Sequence, residues 1–355
     1  MTQTDPAMNE FAQFLSERNL AAAGVMRTPS GPAQAGAPAQ SYASGHWKWN
    51  NFHAALLEAG RLVQLGPFGI SGSAEMRTVS GANARRHPIT LGAQILKPGE
   101  RTRAHRNMKN ETRLVWQAPE GSRFVCDGEA FPMSRGDVIV SPTWTFHDCL
   151  VPEGGTEPAI WFDGFDWGYS GHGEESTAYG LNEYVGEGQR HQVIDKPDGY
   201  WAKTHGLLGD EVVPVFPLPP VHYPWVETQA TLDMLKEREA DGDPFEGIRL
   251  MYKSPVDQGP TLPTMSWYVQ LLRAREKTRA HRHNSTTWYA VFEGEGATVI
   301  EGERIEWGPG DVFVVPPWRW HQHENLAATE ATVFSIDDWP AMSKLGFYRK
   351  EEAPE

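Results

Sequence analysis

The chemistry this chain can do is written most plainly in three histidines, His281, His283 and His321. His281 and His283 sit one residue apart in Ala280-His281-Arg282-His283. On a β-strand, side chains two apart leave from the same face. His321 ends the run Pro316-Pro317-Trp318-Arg319-Trp320-His321, just after the turn Trp307-Gly308-Pro309-Gly310-Asp311. Two imidazoles from one strand and a third from a later strand can converge on one metal ion. No carboxylate lies between them, so the expected site is an open facial one that leaves coordination positions for substrate and dioxygen.

The elements that must position these residues occur twice. Glu100-Arg101-Thr102-Arg103-Ala104-His105-Arg106-Asn107 returns as Glu276-Lys277-Thr278-Arg279-Ala280-His281-Arg282-His283, 176 positions later. Gly136-Asp137-Val138-Ile139-Val140-Ser141-Pro142 returns as Gly310-Asp311-Val312-Phe313-Val314-Val315-Pro316 at an offset of 174, and each copy runs on to a histidine, His147 or His321. A repeat this long means duplicated domains, not a solenoid. Short strand-like runs separated by Gly and Pro turns fill both copies: Ile89 to Leu96, Thr112 to Gln117, Ser122 to Cys126, Asp137 to Val140 and Ile160 to Asp163 in the first, and Gly247 to about Ile336 in the second. Such spacing predicts an all-β fold of sandwiches or barrels. Helices are expected over Met8 to Ala23, Phe52 to Leu62 and Thr228 to Ala240, and a linker or surface-hugging arm over Thr28 to Ser44. The expected division is a helical arm over 1–75, a barrel over 76–170, a partly helical connection over 171–245, a second barrel over 246–340 and a charged tail over 341–355.

Composition sets outer bounds. With 39% hydrophobic and 22% charged residues, the 355-residue chain has apolar mass for two cores. A formal charge of −14 argues against nucleic acid or an anionic membrane as partner. Cys126 and Cys149 are the only cysteines, which excludes a disulfide framework and makes a reducing cytoplasm the expected location. No apolar run is long enough to span a bilayer, and the N-terminus has no signal-peptide profile.

These motifs resemble the cupin superfamily, in which a His-x-His motif is followed by a Pro-Gly-Asp-type turn and a third histidine. More narrowly, the chain resembles the bicupin gentisate and salicylate 1,2-dioxygenases from about residue 47 onward. The narrower match rests on Ala280 to His283, Val291 to Gly296, Gly310 to Trp318, Ile160-Trp161-Phe162-Asp163-Gly164 and Phe334-Ser335-Ile336. The resemblance implies two double-stranded β-helix (jelly-roll) barrels, Fe(II) as cofactor, and a homo-oligomer, dimer or tetramer, whose N-terminal arm crosses to a neighbour. It implies cleavage of a 2-hydroxybenzoate (gentisate, salicylate or a 5-substituted salicylate) between C1 and C2 with dioxygen. In the family the N-terminal barrel holds the iron through three histidines. Here the matching trio is His105, Asn107 and His147, and an amide oxygen is a weaker ligand than imidazole. The C-terminal trio is therefore the expected iron site, with the N-terminal trio as a second or alternative one.

By the same resemblance, Gly92, Gln94 and Arg113 line the N-terminal pocket, with Arg113 suited to gripping a carboxylate. Gln270, Tyr289 and His323 are their C-terminal counterparts, and Cys149 stands where the family has a further pocket histidine. Chelation through a carboxylate and an ortho phenolate would balance the charge left by three neutral imidazoles. His323, the expected catalytic residue, or Tyr289 would hydrogen-bond the phenolate or an oxygen intermediate, and Trp318 and Trp320 would wall the ring. Each role has a structural rival: Arg113 paired with Glu111 or Asp127, His323 as a packing residue, the tryptophans as core. Two other functions stay open. One is a non-catalytic bicupin that binds an aromatic acid. The other is a metal-dependent isomerase or hydrolase, which the lack of a glutamate near His283 disfavours, since Thr286 and Thr287 occupy that region.

Overall fold

In a computed structural model, the described residues are 6–23, 42–65, 73–74, 76–82, 84–170, 182–184, 220–238 and 242–354. They fall into two compact units. The first draws on Met1–Ser41, Asn50–Arg85 and Thr90–His222; the second draws on Tyr42–Trp49, Arg86–Ile89 and Tyr223–Glu355. Each unit is built mainly from two antiparallel sheets, the architecture of a jelly-roll barrel.

In the first unit the strands Leu20–Ala23, Thr78–Gly81, Thr90–Leu96, Ala159–Phe165, Glu111–Gln117 and Val138–Ser141 lie side by side in that order. The opposing sheet runs Glu129–Pro132, Arg123–Cys126, His147–Leu150, His105–Asn107, Asn182–Tyr184. Val115, Ile139 and Trp161 from one sheet meet Phe124, Cys126 and Cys149 from the other in a single buried cluster. Thr90–Leu96 and Ala159–Phe165 are buried along their whole length, so they read as continuous apolar runs rather than alternating ones. Helix Trp49–Leu62 accounts for part of this burial. It buries Phe52, Ala55, Leu56 and Ala59, and the Phe52 ring meets Phe162 edge-on at 6.5 Å.

The second unit repeats the plan. Its larger sheet runs Ile248–Met251, Ser266–Leu272, Ala331–Asp337, Thr287–Glu293, Val312–Val315, Gly45–Trp47. The facing sheet runs Glu303–Trp307, Gly296–Ile300, His321–Asn325, His281–His283, Lys350–Glu352. Tyr289, Val291, Phe313 and Val333 pack against Ile300 and Trp307 between the two. Helix Trp225–Arg238 sets Trp225 against Phe292 and Phe334, with ring centroids 4.7 and 5.7 Å away.

Three expectations change. The helix expected over Met8 to Ala23 stops at Ser16, because Asn19 takes the left-handed conformation (φ 54°) and Leu20–Ala23 becomes a strand paired with Thr78–Gly81. The charged tail is partly structured. Trp339–Lys344 is a helix and Lys350–Glu352 is a strand paired with His281–His283. The arm also gives residues to the second unit, since Gly45–Trp47 pairs with Val312–Val314. The other two helices form at Trp49–Leu62 and Trp225–Arg238, and most of the Thr28 to Ser44 arm and of the Gly168 to Tyr223 connection lies outside the described residues.

Candidate metal centre

His281 and His283 share the three-residue strand His281–His283, and His321 opens the antiparallel neighbour, directly opposite His281. All three are buried, and one nitrogen from each lies within 4.8 Å of the others. The ring centroids of His281 and His321 are 4.2 Å apart, and those of His283 and His321 are 5.1 Å apart. The third ligand depends on an unusual turn: Trp318 has φ 62°, and its N–H donates to the His283 carbonyl at 2.7 Å. A carbonyl on the Nδ1 side fixes one tautomer. His321 Nδ1 lies 2.9 Å from the Arg319 carbonyl, so it carries the proton and Nε2 offers a lone pair, while His283 Nδ1 meets both the Ser285 hydroxyl at 2.9 Å and the Ser285 carbonyl at 3.1 Å. Nε2 of His281 and of His321 is buried without a hydrogen-bond partner. Burial, reinforced by the neighbouring imidazoles, holds His283 near a pKa of about 3 and His321 well below the ordinary histidine range. Convergent imidazole nitrogens of this kind suit a divalent transition metal.

One residue that sequence reasoning missed, Glu246, adjoins this trio. Glu246 places Oε1 3.4 Å from His281 Nε2 and 3.1 Å from Arg249 Nη1, while its Oε2 accepts from Gln270 Nε2 at 2.6 Å. The expectation of a C-terminal site free of carboxylate is therefore corrected. The glutamate comes from a turn before the first barrel strand, outside the repeated motif. Asp243 Oδ1 holds that turn by accepting from the Phe245 and Glu246 amides. Burial opposes its charge, but Arg249 and His281 together keep the Glu246 carboxyl well below the usual range.

His323 lies two residues beyond His321 on the same face, its ring 5.8 Å from that of His321 and 5.0 Å from Tyr289. Its Nδ1 is 2.9 Å from Thr298 Oγ1, and that hydroxyl already accepts the Trp307 indole N–H at 2.9 Å. Thr298 is fully buried, so its own proton must go to His323 Nδ1 or stay unsatisfied. This leaves His323 with an Nε2–H that has no partner. Burial lowers its pKa to about 4. Tyr289 stacks on Phe313 at 4.7 Å and belongs to the core cluster. Trp318 and Trp320 are not ring walls: they sandwich the Arg282 guanidinium at 4.5 and 4.6 Å, and Arg282 leaves the strand opposite to its histidine neighbours.

The first unit assembles a different set. His105, Glu111 and His147 converge within 4.8 Å, and Asn107 is hydrogen-bonded through both ends of its amide. Its amide nitrogen donates to Glu111 Oε1 at 2.7 Å, and its oxygen accepts from the Lys109 backbone at 3.1 Å. Glu111 in turn receives Arg113 Nη2 at 2.7 Å and lies 3.2 Å from His147 Nε2. The Arg113 Nε lies 3.4 Å from Asp163, its Nη1 donates to Ser141 at 2.6 Å, and its side chain is 1% exposed. Arg113, expected as a carboxylate clamp, is thus sealed between two internal carboxylates. Gly92 and Gln94 lie on the adjoining strand, with Gly92 opposite Asp163. Cys149 is a free, buried thiol within the core, where burial pushes its pKa up.

A cupin-domain family model matches residues 268–337. The chain is 35% identical to a 5-aminosalicylate 1,2-dioxygenase of Comamonas sp over 86% of its length and 80% of that protein. It is 32% identical to a gentisate 1,2-dioxygenase of Haloferax sp, covering 86% and 87% of the two chains. Among solved structures it resembles the salicylate 1,2-dioxygenase of Pseudoaminobacter salicylatoxidans in its adducts with gentisate, at 26% identity and a TM-score of 0.72, covering 100% and 96%.

Proposed function

The chain belongs to the gentisate and salicylate 1,2-dioxygenase family of cupin proteins, and we propose that it opens the ring of a 2-hydroxybenzoate at ferrous iron held by His281, His283 and His321. The observation that carries the site assignment is the convergence of three buried imidazoles, with one ring nitrogen of each lying within 4.8 Å of the others. When bound, iron supplies open positions for the substrate's oxygens and a route for electrons from the ring to dioxygen.

The protein's own residues do the rest. The Arg319 carbonyl keeps the His321 Nε2 lone pair turned inward, and Ser285 orients the His283 ring through its carbonyl and hydroxyl. His323 presents an Nε2–H to a developing negative charge on the substrate hydroxyl oxygen, and burial keeps water from competing for it. Tyr289 and Phe313 give that end of the site an aromatic face. The bond broken joins the carboxyl-bearing and hydroxyl-bearing carbons. Both atoms of dioxygen enter the product, leaving a ketone on the first carbon and a carboxylic acid on the second. The first-unit set of His105, Glu111 and His147 is an alternative site for a metal, where the ion would compete with Arg113 for Glu111. We further infer a cytoplasmic homo-oligomer, in line with two free, buried cysteines. Among the described residues no helix is long and apolar enough to cross a membrane.

A second reading, a metal-dependent isomerase or hydrolase, draws its support from Glu246 beside His281. One experiment separates them. The protein is loaded anaerobically with Fe(II), and oxygen uptake is followed with salicylate, gentisate, 5-substituted salicylates and 1-hydroxy-2-naphthoate. Uptake matched by ring-opened product is expected with at least one. Retained iron with no uptake from any of them overturns the proposal. His281→Ala should lose the catalytic metal where His105→Ala keeps it, and the reverse result moves the reaction to the first unit.

A further inference from the structure

The repeat does not carry a guanidinium into the second barrel. At the offset of 176, Glu111 and Arg113 become Thr287 and Tyr289. The fold nevertheless restores the missing group from another strand. Arg249, on Ile248–Met251 and in register with Gln270, sets Nη1 3.1 Å from Glu246 and Nη2 3.8 Å from Asp337. Asp337 comes from Ala331–Asp337, the strand that matches Ala159–Phe165 of the first barrel, but two positions beyond Ser335, which by register is the counterpart of Asp163. Each barrel therefore holds an arginine between a glutamate and an aspartate beside its imidazoles, but from different strands.

The two arginines differ in what they still have to offer. Arg113 is closed in by Glu111, Asp163 and Ser141 and is 1% exposed. Arg249 keeps 26% of its side-chain surface accessible, its contact with Asp337 is long, and its Nε is buried without a hydrogen-bond partner. The guanidinium lies 3.7 Å over the Tyr268 ring, which fixes its plane. A planar guanidinium with spare N–H groups matches a carboxylate, which takes two parallel hydrogen bonds from it. The position also fits the trio. A single Glu246 oxygen lies 3.1 Å from Arg249 and 3.4 Å from His281, so a carboxylate on the guanidinium is adjacent to the imidazoles.

We propose that Arg249, oriented by Glu246 and Tyr268, is the substrate-carboxylate anchor of the second barrel. The proposal rests on the aromatic-acid reading of that site, and it makes the barrel self-sufficient, with donors and anchor in one unit.

The test compares salicylate with salicylamide, which keeps the hydroxyl and ring but loses the carboxylate charge. Binding of both is measured without oxygen, on metal-free and iron-loaded full-length protein, alongside iron content. Arg249→Gln should weaken salicylate binding about tenfold to a hundredfold in both forms, leaving salicylamide binding and iron content unchanged. Arg249→Lys should recover part of the loss. Because Arg249→Gln leaves Glu246 buried without its partner, the double variant Glu246→Gln/Arg249→Gln is read in the same way if the single one fails to fold. Unchanged salicylate affinity, or equal loss for both ligands, overturns the anchor. Wild-type protein that retains iron but binds neither ligand overturns the aromatic-acid reading itself.

Discussion

His323 shows how much one hydroxyl can decide. The ligand histidine His321 faces a carbonyl through Nδ1, whereas His323 faces the Thr298 hydroxyl, which already accepts a hydrogen bond from Trp307 and has its own proton to give. The first arrangement makes Nε2 a lone pair for a metal; the second makes it a donor. His323→Ala should therefore lower kcat about a hundredfold while iron content stays at the wild-type level. Loss of iron along with turnover would make His323 part of the metal's support instead. At this scale the sequence was legible where spacing alone places a group, as for His281, His283 and His321. It was not legible for Glu246, which lies in a turn 35 positions before His281, because nothing local ties a turn residue to a distant strand face. Asn107 misled for a related reason. The motif marks its position, but Glu111 and Lys109 take both ends of its amide.

Turns and short strands hold these side chains in place, and their demands are steric. Gly310 has φ 84°, and a Cβ there would sit 2.5 Å from the Trp49 indole. The next residue, Asp311, is held by the Trp49 amide at 2.8 Å, Lys48 Nζ at 2.9 Å and the Gly308 amide at 3.0 Å. Gly310→Ala combines left-handed strain with that clash, so it should destabilise the protein by about 2 kcal/mol or more. The measurable effect is a melting temperature lower by about 4 °C or more. An unshifted melting curve would mean the turn and Trp49 can yield at little cost. The Gly-Asp turns, the long buried strands and the three helices at Pro6–Ser16, Trp49–Leu62 and Trp225–Arg238 could be read from local pattern, whereas the short helix Trp339–Lys344 could not. The strands His105–Asn107 and His281–His283 are too short for a periodicity signal, and only their histidine spacing marks them. Asn19 shows the limit for helices, since the end of the first one is set by Leu20 to Ala23 pairing with strand Thr78–Gly81, a non-local choice.

At the scale of the whole molecule, many imidazoles are stored neutral in its interior. Burial brings His105 and His283 to pKa values of about 3 and His323 to about 4, while an unfolded chain protonates them near 6.5. Between those limits the unfolded state binds more protons, so this stability is full above about pH 6.5 and is lost as pH falls toward 3 to 4. Metal-free protein should melt at progressively lower temperature on acidification through that window. Iron should raise the melting temperature at pH 7, and the gain should fade on acidification as protons displace the metal. A melting temperature indifferent to both pH and iron would show that these histidines are not the neutral donors described. The duplication itself was plain from its two matching offsets, but the true partition of the chain was not, because Gly45–Trp47 joins a sheet whose other strands begin some 200 positions later. That strand has a consequence for dissection of the chain. A fragment beginning at the second repeat would leave the Val312–Val315 border unpaired, an open edge on which another chain could add a strand.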